Sequence, residues 1–163
     1  MTTPSPSLLD AVQASRLAQG LTPEQKATLA TVVELASFRA KDVLAREGAA
    51  DNHLYEVVEG TLGVIKNLGT AEETLIATLH PGEFAHELGF LDGAERFASL
   101  VASSDARVLV LEREKLESLI VTHPRVLYQV MRAIVRTVHR VQTRLSMQAS
   151  ELSNYISKQH GRY

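Results

Sequence analysis

The chain has 163 residues, with 17 Lys+Arg against 19 Asp+Glu, six histidines and no cysteine. That length suits one domain able to bury roughly 70% of its unfolded-chain surface, and the lack of cysteine excludes disulfides, cysteine-ligated zinc and a thiol nucleophile. No run approaches ~18 consecutive apolar residues, and the start MTTPSPSLLDAVQ lacks the basic segment and apolar stretch of a secretory signal, so a cytoplasmic protein without membrane contact is expected.

Residues 1–20 read as a Pro- and Ser-rich lead followed by a short helix over Ser7–Ala18, stopped by Gly20. Thr22-Pro23-Glu24-Gln25 starts a second helix, predicted to reach Val33: a Thr cap, Pro in the first turn, and Gln placed to return the capping bond. From Glu34 to Leu111 the pattern changes to short β-type runs: Leu35–Phe38, Val43–Arg46, Leu54–Val58, Thr61–Lys66, Thr74–Leu79, Ala98–Ala102 and Arg107–Leu111. Many short strands at regular spacing predict a closed β-roll, a double-stranded β-helix or jelly roll, because closure hides strand edges. Glu112–Thr122 then reads as an amphipathic helix stopped by His123-Pro124, and a long helix from Arg125 meets no Gly or Pro before Tyr155. The fold class is thus mainly β with flanking α. A roll with its helices occupies residues 21–122, and a long C-terminal helix and tail occupy 123–163.

Charge divides at the same point. Residues 1–122 carry 10 basic and 18 acidic side chains, a balance of −8, whereas 123–163 carry 7 basic and 1 acidic, a balance of +6. An acidic body thus carries a basic helix.

The segment richest in chemistry, Pro81 to Ser99, interrupts the β pattern with polar and glycine residues. Glu87-Leu88-Gly89-Phe90-Leu91 can form one helical turn whose amides face an anion. Arg96, nine residues after Glu87, can offer forked bonds to a phosphate, and Glu87 can accept from hydroxyls. The competing reading is a surface loop closed by an internal Glu87–Arg96 ion pair.

Val43-Leu44, Glu47-Gly48, Leu54-Tyr55, Val58-Glu59-Gly60, Pro81-Gly82-Glu83-Phe84, Glu87-Leu88-Gly89 and Arg96-x-Ala98-Ser99 together resemble a cyclic-nucleotide-binding domain. The resemblance is closest to the sensor half of bacterial catabolite-activator and FNR-type regulators and covers about residues 20–150. It implies that Glu87 accepts from the ribose 2′-hydroxyl and that Arg96 pairs with the cyclic phosphate. Backbone amides around His86 and Leu88 complete the cradle, with Phe97 and Ala98 beside it. It further implies closure of the pocket by the long helix, where counting from Pro124 places Val141 and Gln142 near the base. The implied ligand is cyclic AMP or cyclic GMP, with no cofactor. Two positions depart from the pattern: His86 stands where the family has Gly, and Phe97 stands where it has a small residue. A Phe97 ring turned into the roll would fill ligand space, whereas His86 would add a donor or face solvent.

Along the long helix, Leu127, Met131, Ile134, Val138, Val141 and Leu145 step by alternating fours and threes, a coiled-coil seam with a polar break at Gln148. A homodimer through this helix is expected, and the family resemblance implies the same; the other reading is that the stripe packs on the chain's own roll. Arg132, Arg136, Arg140 and Arg144 recur beside the seam, as a solvated face, as partners for an acidic body, or as a surface for an anionic macromolecule. Only Ser153–Tyr163 follows the helix, too little for the helix-turn-helix of the resembling regulators, so DNA binding is not expected.

Catalytic readings find little support. His80, Glu83, His86 and Glu87 cluster in sequence, but no His-x-His-x-Glu strand accompanies them, so no metal enzyme is expected; no serine lies in a nucleophile elbow. The expectation is a stand-alone, non-catalytic cyclic-nucleotide sensor or adaptor acting through its long helix on an unidentified protein partner. The alternative is a degenerate dimeric interaction module that binds no nucleotide, its pocket filled by Phe97.

Overall fold

The computed structural model describes residues 6–160; the lead at 1–5 and the last three tail residues lie outside them. Helix α1 (Leu8–Ala14) opens with a capping box, in which Ser7 Oγ accepts from the Asp10 amide and the Asp10 carboxylate accepts from the Ser7 amide. The predicted continuation to Ala18 breaks at Ser15, whose hydroxyl accepts from the Leu17 amide and donates to Glu56. This side-chain alternative to the helical ladder turns Arg16–Ala18 into a 3-10 turn. Helix α2 (Pro23–Ala30) carries the expected Thr22/Gln25 box but stops short of Val33, which instead begins strand β1 (Val33–Phe38) opposite Leu111.

The remaining strands are β2 (Val43–Ala45), β3 (His53–Glu59), β4 (Leu62–Lys66), β5 (Thr74–Leu79), β6 (Phe84–Ala85), β7 (Ser99–Ala102) and β8 (Ala106–Glu112). They form two four-stranded antiparallel sheets, ordered β1-β8-β3-β6 and β2-β7-β4-β5. Seven strands match the predicted runs to within two residues at either end. β6 was not predicted, since two residues carry no periodicity; it exists because Tyr55 and Glu56 supply its partners.

Side-chain alternation along the central strands makes two cores. Tyr55, Val57, Ala106 and Val108 point into the roll, against Leu62, Leu100 and Ala102 of the facing sheet. Leu54, Leu109 and Leu111 point the other way, onto the helices. Both faces of β8 are therefore covered, which is why its sequence Arg-Val-Leu-Val-Leu is nearly continuously apolar.

The predicted helix 112–122 is two short ones meeting at Ser118, α4 (Arg113–Glu117) and α5 (Leu119–Thr122). Helix α6 runs from Pro124 to His160 and lays Val126, Val130, Ala133 and Ile134 on the body. The dimer stripe predicted through Leu127, Met131, Ile134, Val138, Val141 and Leu145 does not form one free face. Ile134 is 0% exposed in the chain's own core, and Leu127 and Met131 pack against that core. Val138 is half-buried, Leu145 is exposed, and the side chain of Val141 lies outside the described ones.

Glu56 shares the helix-facing side of β3 with Leu54 and is 2% exposed under the 3-10 turn, where Ser15 Oγ and the Arg16 amide donate to it. Burial pushes its carboxyl up to about 7, against the lowering effect of those bonds and of the Arg16 charge. The folded chain holds this proton more tightly than the unfolded one. The stability it contributes is therefore full below the unfolded value of 4.5 and is lost as pH rises through about 7. The melting temperature is expected to fall by several degrees between pH 5 and pH 8, a change on the order of 3 kcal/mol at most. Glu56→Gln should flatten that slope; an equal slope in both proteins would show that Glu56 does not titrate there.

Candidate functional site

Between β6 and β7 the chain forms α3 (Glu87–Asp92) and then the loop through Arg96, walling a pocket of about 210 Å³. Val64, Ala85, His86, Glu87, Arg96 and Ser99 are among its lining residues. The loop is tied to the preceding turn by backbone bonds, the Arg96 amide donating to Ala49 O at 2.9 Å and the Gly48 amide donating to Arg96 O at 2.8 Å.

Arg96 is 4% exposed and does not pair with Glu87. Its Nε and Nη2 donate to the two Asp51 oxygens at 2.6 and 2.7 Å, and Nη2 also donates to His53 O at 2.9 Å. The guanidinium lies over the Tyr55 ring at 5.2 Å. Burial alone would raise the Asp51 carboxyl, but the bonds from Arg96 and the His53 amide, with the Arg96 charge, bring it below its ordinary value. Among the described residues Nη1 makes no hydrogen bond, and Arg96 is one of the residues lining the pocket. The internal Glu87–Arg96 pair considered from sequence is therefore absent, because Asp51 takes that role.

Glu87 begins α3, and burial raises its carboxyl above the usual range. His86 precedes it at φ 69°, a left-handed conformation that glycine adopts without penalty. Its ring lies across Gly89, where any added Cβ would collide with the imidazole. Nε2 is buried without a hydrogen-bond partner among the described residues. Burial, and then the Arg96 charge, hold this imidazole below its ordinary pKa. The side chain is partly buried and is not held as a cation near neutral pH. The side chain of Leu88 lies outside the described ones.

Phe97 is 68% exposed, its ring covered by the Lys66 ammonium at 4.4 Å. Lys66 also donates to Phe97 O at 2.9 Å and pairs with Glu47. Phe97 is also among the residues lining the pocket. Ala98 is buried in the pocket wall.

A second cleft of about 570 Å³ adjoins the first, the two sharing Leu79, Phe84 and Glu87 as wall residues, and α6 lines it as well. The helix presents Thr137, 6% exposed, together with Arg140 and Arg144. Gln142 is not there. It is exposed and lines a shallow groove on the helix with His139 and Ser146, because the stripe of α6 facing the body steps through 126, 130, 133, 137, 140 and 144. Counting along the helix without that phase placed the wrong residue at the pocket.

Three residues were missed. Asp51 sits in a turn where a lone carboxylate carries no signal. Thr137 would have emerged from the phase of α6. Ser99 lies 3% exposed in the pocket wall, its Oγ accepting from the Glu47 amide at 2.9 Å and leaving its proton to donate. Among the described residues no group of three or more His, Asp or Glu side chains is placed to hold a metal, and no helix is long and apolar enough to cross a membrane.

A family model described as "Cyclic nucleotide-binding domain" matches residues 35–123. A cyclic AMP receptor protein of Thermus thermophilus is 30% identical over 141 residues, covering 86% of this chain and 65% of the relative. A CRP-like cAMP-activated global transcriptional regulator of Mycobacterium tuberculosis is 23% identical over 128 residues, covering 78% of this chain and 57% of the relative. The chain thus spans about three fifths of these regulators. Among solved structures, a cyclic nucleotide-binding domain from Methylobacillus flagellatus superposes with a TM-score of 0.73 at 24% identity, over 87% of this chain and 79% of the other, a likeness of fold.

Proposed function

Because the chain belongs to the cyclic nucleotide-binding domain family, we propose that it is a non-catalytic sensor of a cyclic nucleotide. In this reading the cyclic phosphate meets Arg96 Nη1 and the Ser99 hydroxyl, Glu87 accepts from the ribose, and the base extends toward Thr137. The observation that carries the reading is the junction of Glu87 and Arg96 in one pocket, with Glu87 also lining the neighbouring cleft beside α6. Ligand in that cleft would touch roll and helix together. It therefore biases the position of α6 to the extent that it binds one arrangement more tightly. The output passes along α6 to a protein partner, and α6 is also the surface through which two copies pair. Exposure of the Phe97 ring weighs against the alternative of a module whose pocket that ring fills.

Thermal melts with cyclic AMP and cyclic GMP test the reading. At 100 times its Kd a ligand stabilises by about 2.7 kcal/mol, a rise of roughly 5–10 °C for a domain of this size. Glu87→Ala should abolish the shift while leaving the unliganded melt close to wild type. A shift that survives Glu87→Ala would overturn the site, and no shift with any cyclic nucleotide would overturn the function.

A further inference from the structure

The cleft lined by α6 holds three arginines against two carboxylates. Arg96 is neutralised by Asp51, so the cassette itself carries no net positive charge from that pair. Further positive charge lies farther out. The body-facing stripe of α6 is apolar through Val126, Val130 and Ala133, turns polar at Thr137, and then presents Arg140 and Arg144 into the cleft. Arg16 enters from the 3-10 turn, its guanidinium resting against Gly82. Among the described residues none of these three arginines takes part in an ion pair. The carboxylates of the same cleft are Glu83 and Glu87; Glu83 already accepts from the His80 amide at 2.8 Å. The arginine stripe of α6 therefore divides by role: Arg132 lies over the Tyr128 ring at 5.7 Å, while Arg140 and Arg144 face the cleft.

A neutral base occupying this space would leave three guanidinium groups facing two carboxylates, with positive charge in excess. Guanidinium forks match phosphate oxygens geometrically and bind them more strongly than neutral acceptors. Cleft and pocket together also lie within the size range of sites for drug-sized ligands. Resting on the sensor reading above, we infer that the ligand carries a second phosphate, separate from the one at the Arg96 cassette and received by Arg140, Arg144 and Arg16. The chemical class is a nucleotide with two separated phosphate groups, such as a cyclic dinucleotide.

Isothermal titration of the full chain with cyclic di-GMP, cyclic di-AMP, guanosine tetraphosphate, cyclic AMP and cyclic GMP tests this. One two-phosphate nucleotide is expected to bind at least about a hundredfold more tightly than either cyclic mononucleotide, as two charge-assisted contacts allow. The Arg140→Ala/Arg144→Ala double variant should reduce that affinity ratio to within a few fold. Both side chains are exposed on a helix, and an unchanged unliganded melt confirms folding. Cyclic AMP or cyclic GMP binding as tightly as every two-phosphate nucleotide would overturn the inference and leave the sensor reading standing. An undiminished ratio in the double variant would overturn the inference alone. Binding of no nucleotide at all would overturn both.

Discussion

Arg96→Ala is expected to lower the melting temperature of the unliganded chain by about 6–12 °C. The guanidinium is almost wholly buried and holds Asp51 through two parallel bonds. Removing one member of a buried pair strands the other, at a cost of 3–5 kcal/mol where both are fully enclosed. Asp51 is about one quarter exposed, so a value near 3 kcal/mol applies, and each kcal/mol moves the midpoint of such a domain by about 2–4 °C. Arg96→Lys should recover little of this loss, because an ammonium supplies neither the second parallel bond nor a planar group over Tyr55. Combining Arg96→Met with Asp51→Asn should recover much of it, because no charge is then left unpaired. Ligand response separates the two roles of Arg96: the double replacement should restore the melt without restoring a cyclic-nucleotide shift. If Arg96→Ala melts within 2 °C of wild type, the ion pair is not what organises the cassette.

The contrast between Arg96 and its surroundings shows how far the sequence could be read. Strands were legible because their runs are rich in β-branched and apolar residues between turn residues, and β8 is covered on both faces, although β5 is exposed along nearly its whole length. The helix starts at Ser7 and Thr22 were legible because capping boxes are local. Glu87 and Arg96 were visible through their spacing, and they do meet in one pocket. What spacing could not show was the charge balance, since Asp51 lies 45 residues before Arg96 and meets it only after the β2–β3 turn folds against the cassette loop. The break of the first helix had the same origin: Ser15 stops it by bonding Glu56, 41 residues away. Helix α6 was legible in extent but not in phase. Its apolar residues are numerous enough to support two stripes, and only packing against the body decides which one is left over.

That leftover stripe predicts the largest change in mass. With Val126, Val130, Ala133 and Thr137 facing the body, a second stripe of α6 steps through Tyr128, Met131, Val135, Val138, Gln142, Leu145, Ala149 and Leu152 by alternating threes and fours, with Met131 also touching the body's core. This heptad shares Met131, Val138 and Leu145 with the stripe read from sequence but replaces Leu127, Ile134 and Val141 by Tyr128, Val135 and Gln142. From Gln142 to Gln159 every described side chain is exposed. A 37-residue helix reaches about 55 Å, and in proteins most helical stability comes from packing of an amphipathic face. Pairing with a second copy along the heptad would cover the seam, with Arg140 and Arg144 on the far side facing each chain's own cleft. Leu145→Asp should then convert dimer to monomer. Two buried leucines lost per dimer amount to at least about 3 kcal/mol, a rise in Kd of a hundredfold or more, before the repulsion of facing carboxylates is added. Ile134→Ala should do the reverse, lowering the melting temperature through a core cavity worth about 2–5 kcal/mol while leaving the dimer mass intact. Light scattering coupled to size exclusion, run on both variants at matched concentrations, reads the two outcomes. A wild-type chain that is monomeric at every concentration, or a Leu145→Asp variant of unchanged mass, would remove the seam and with it the route by which two sensing pockets are joined.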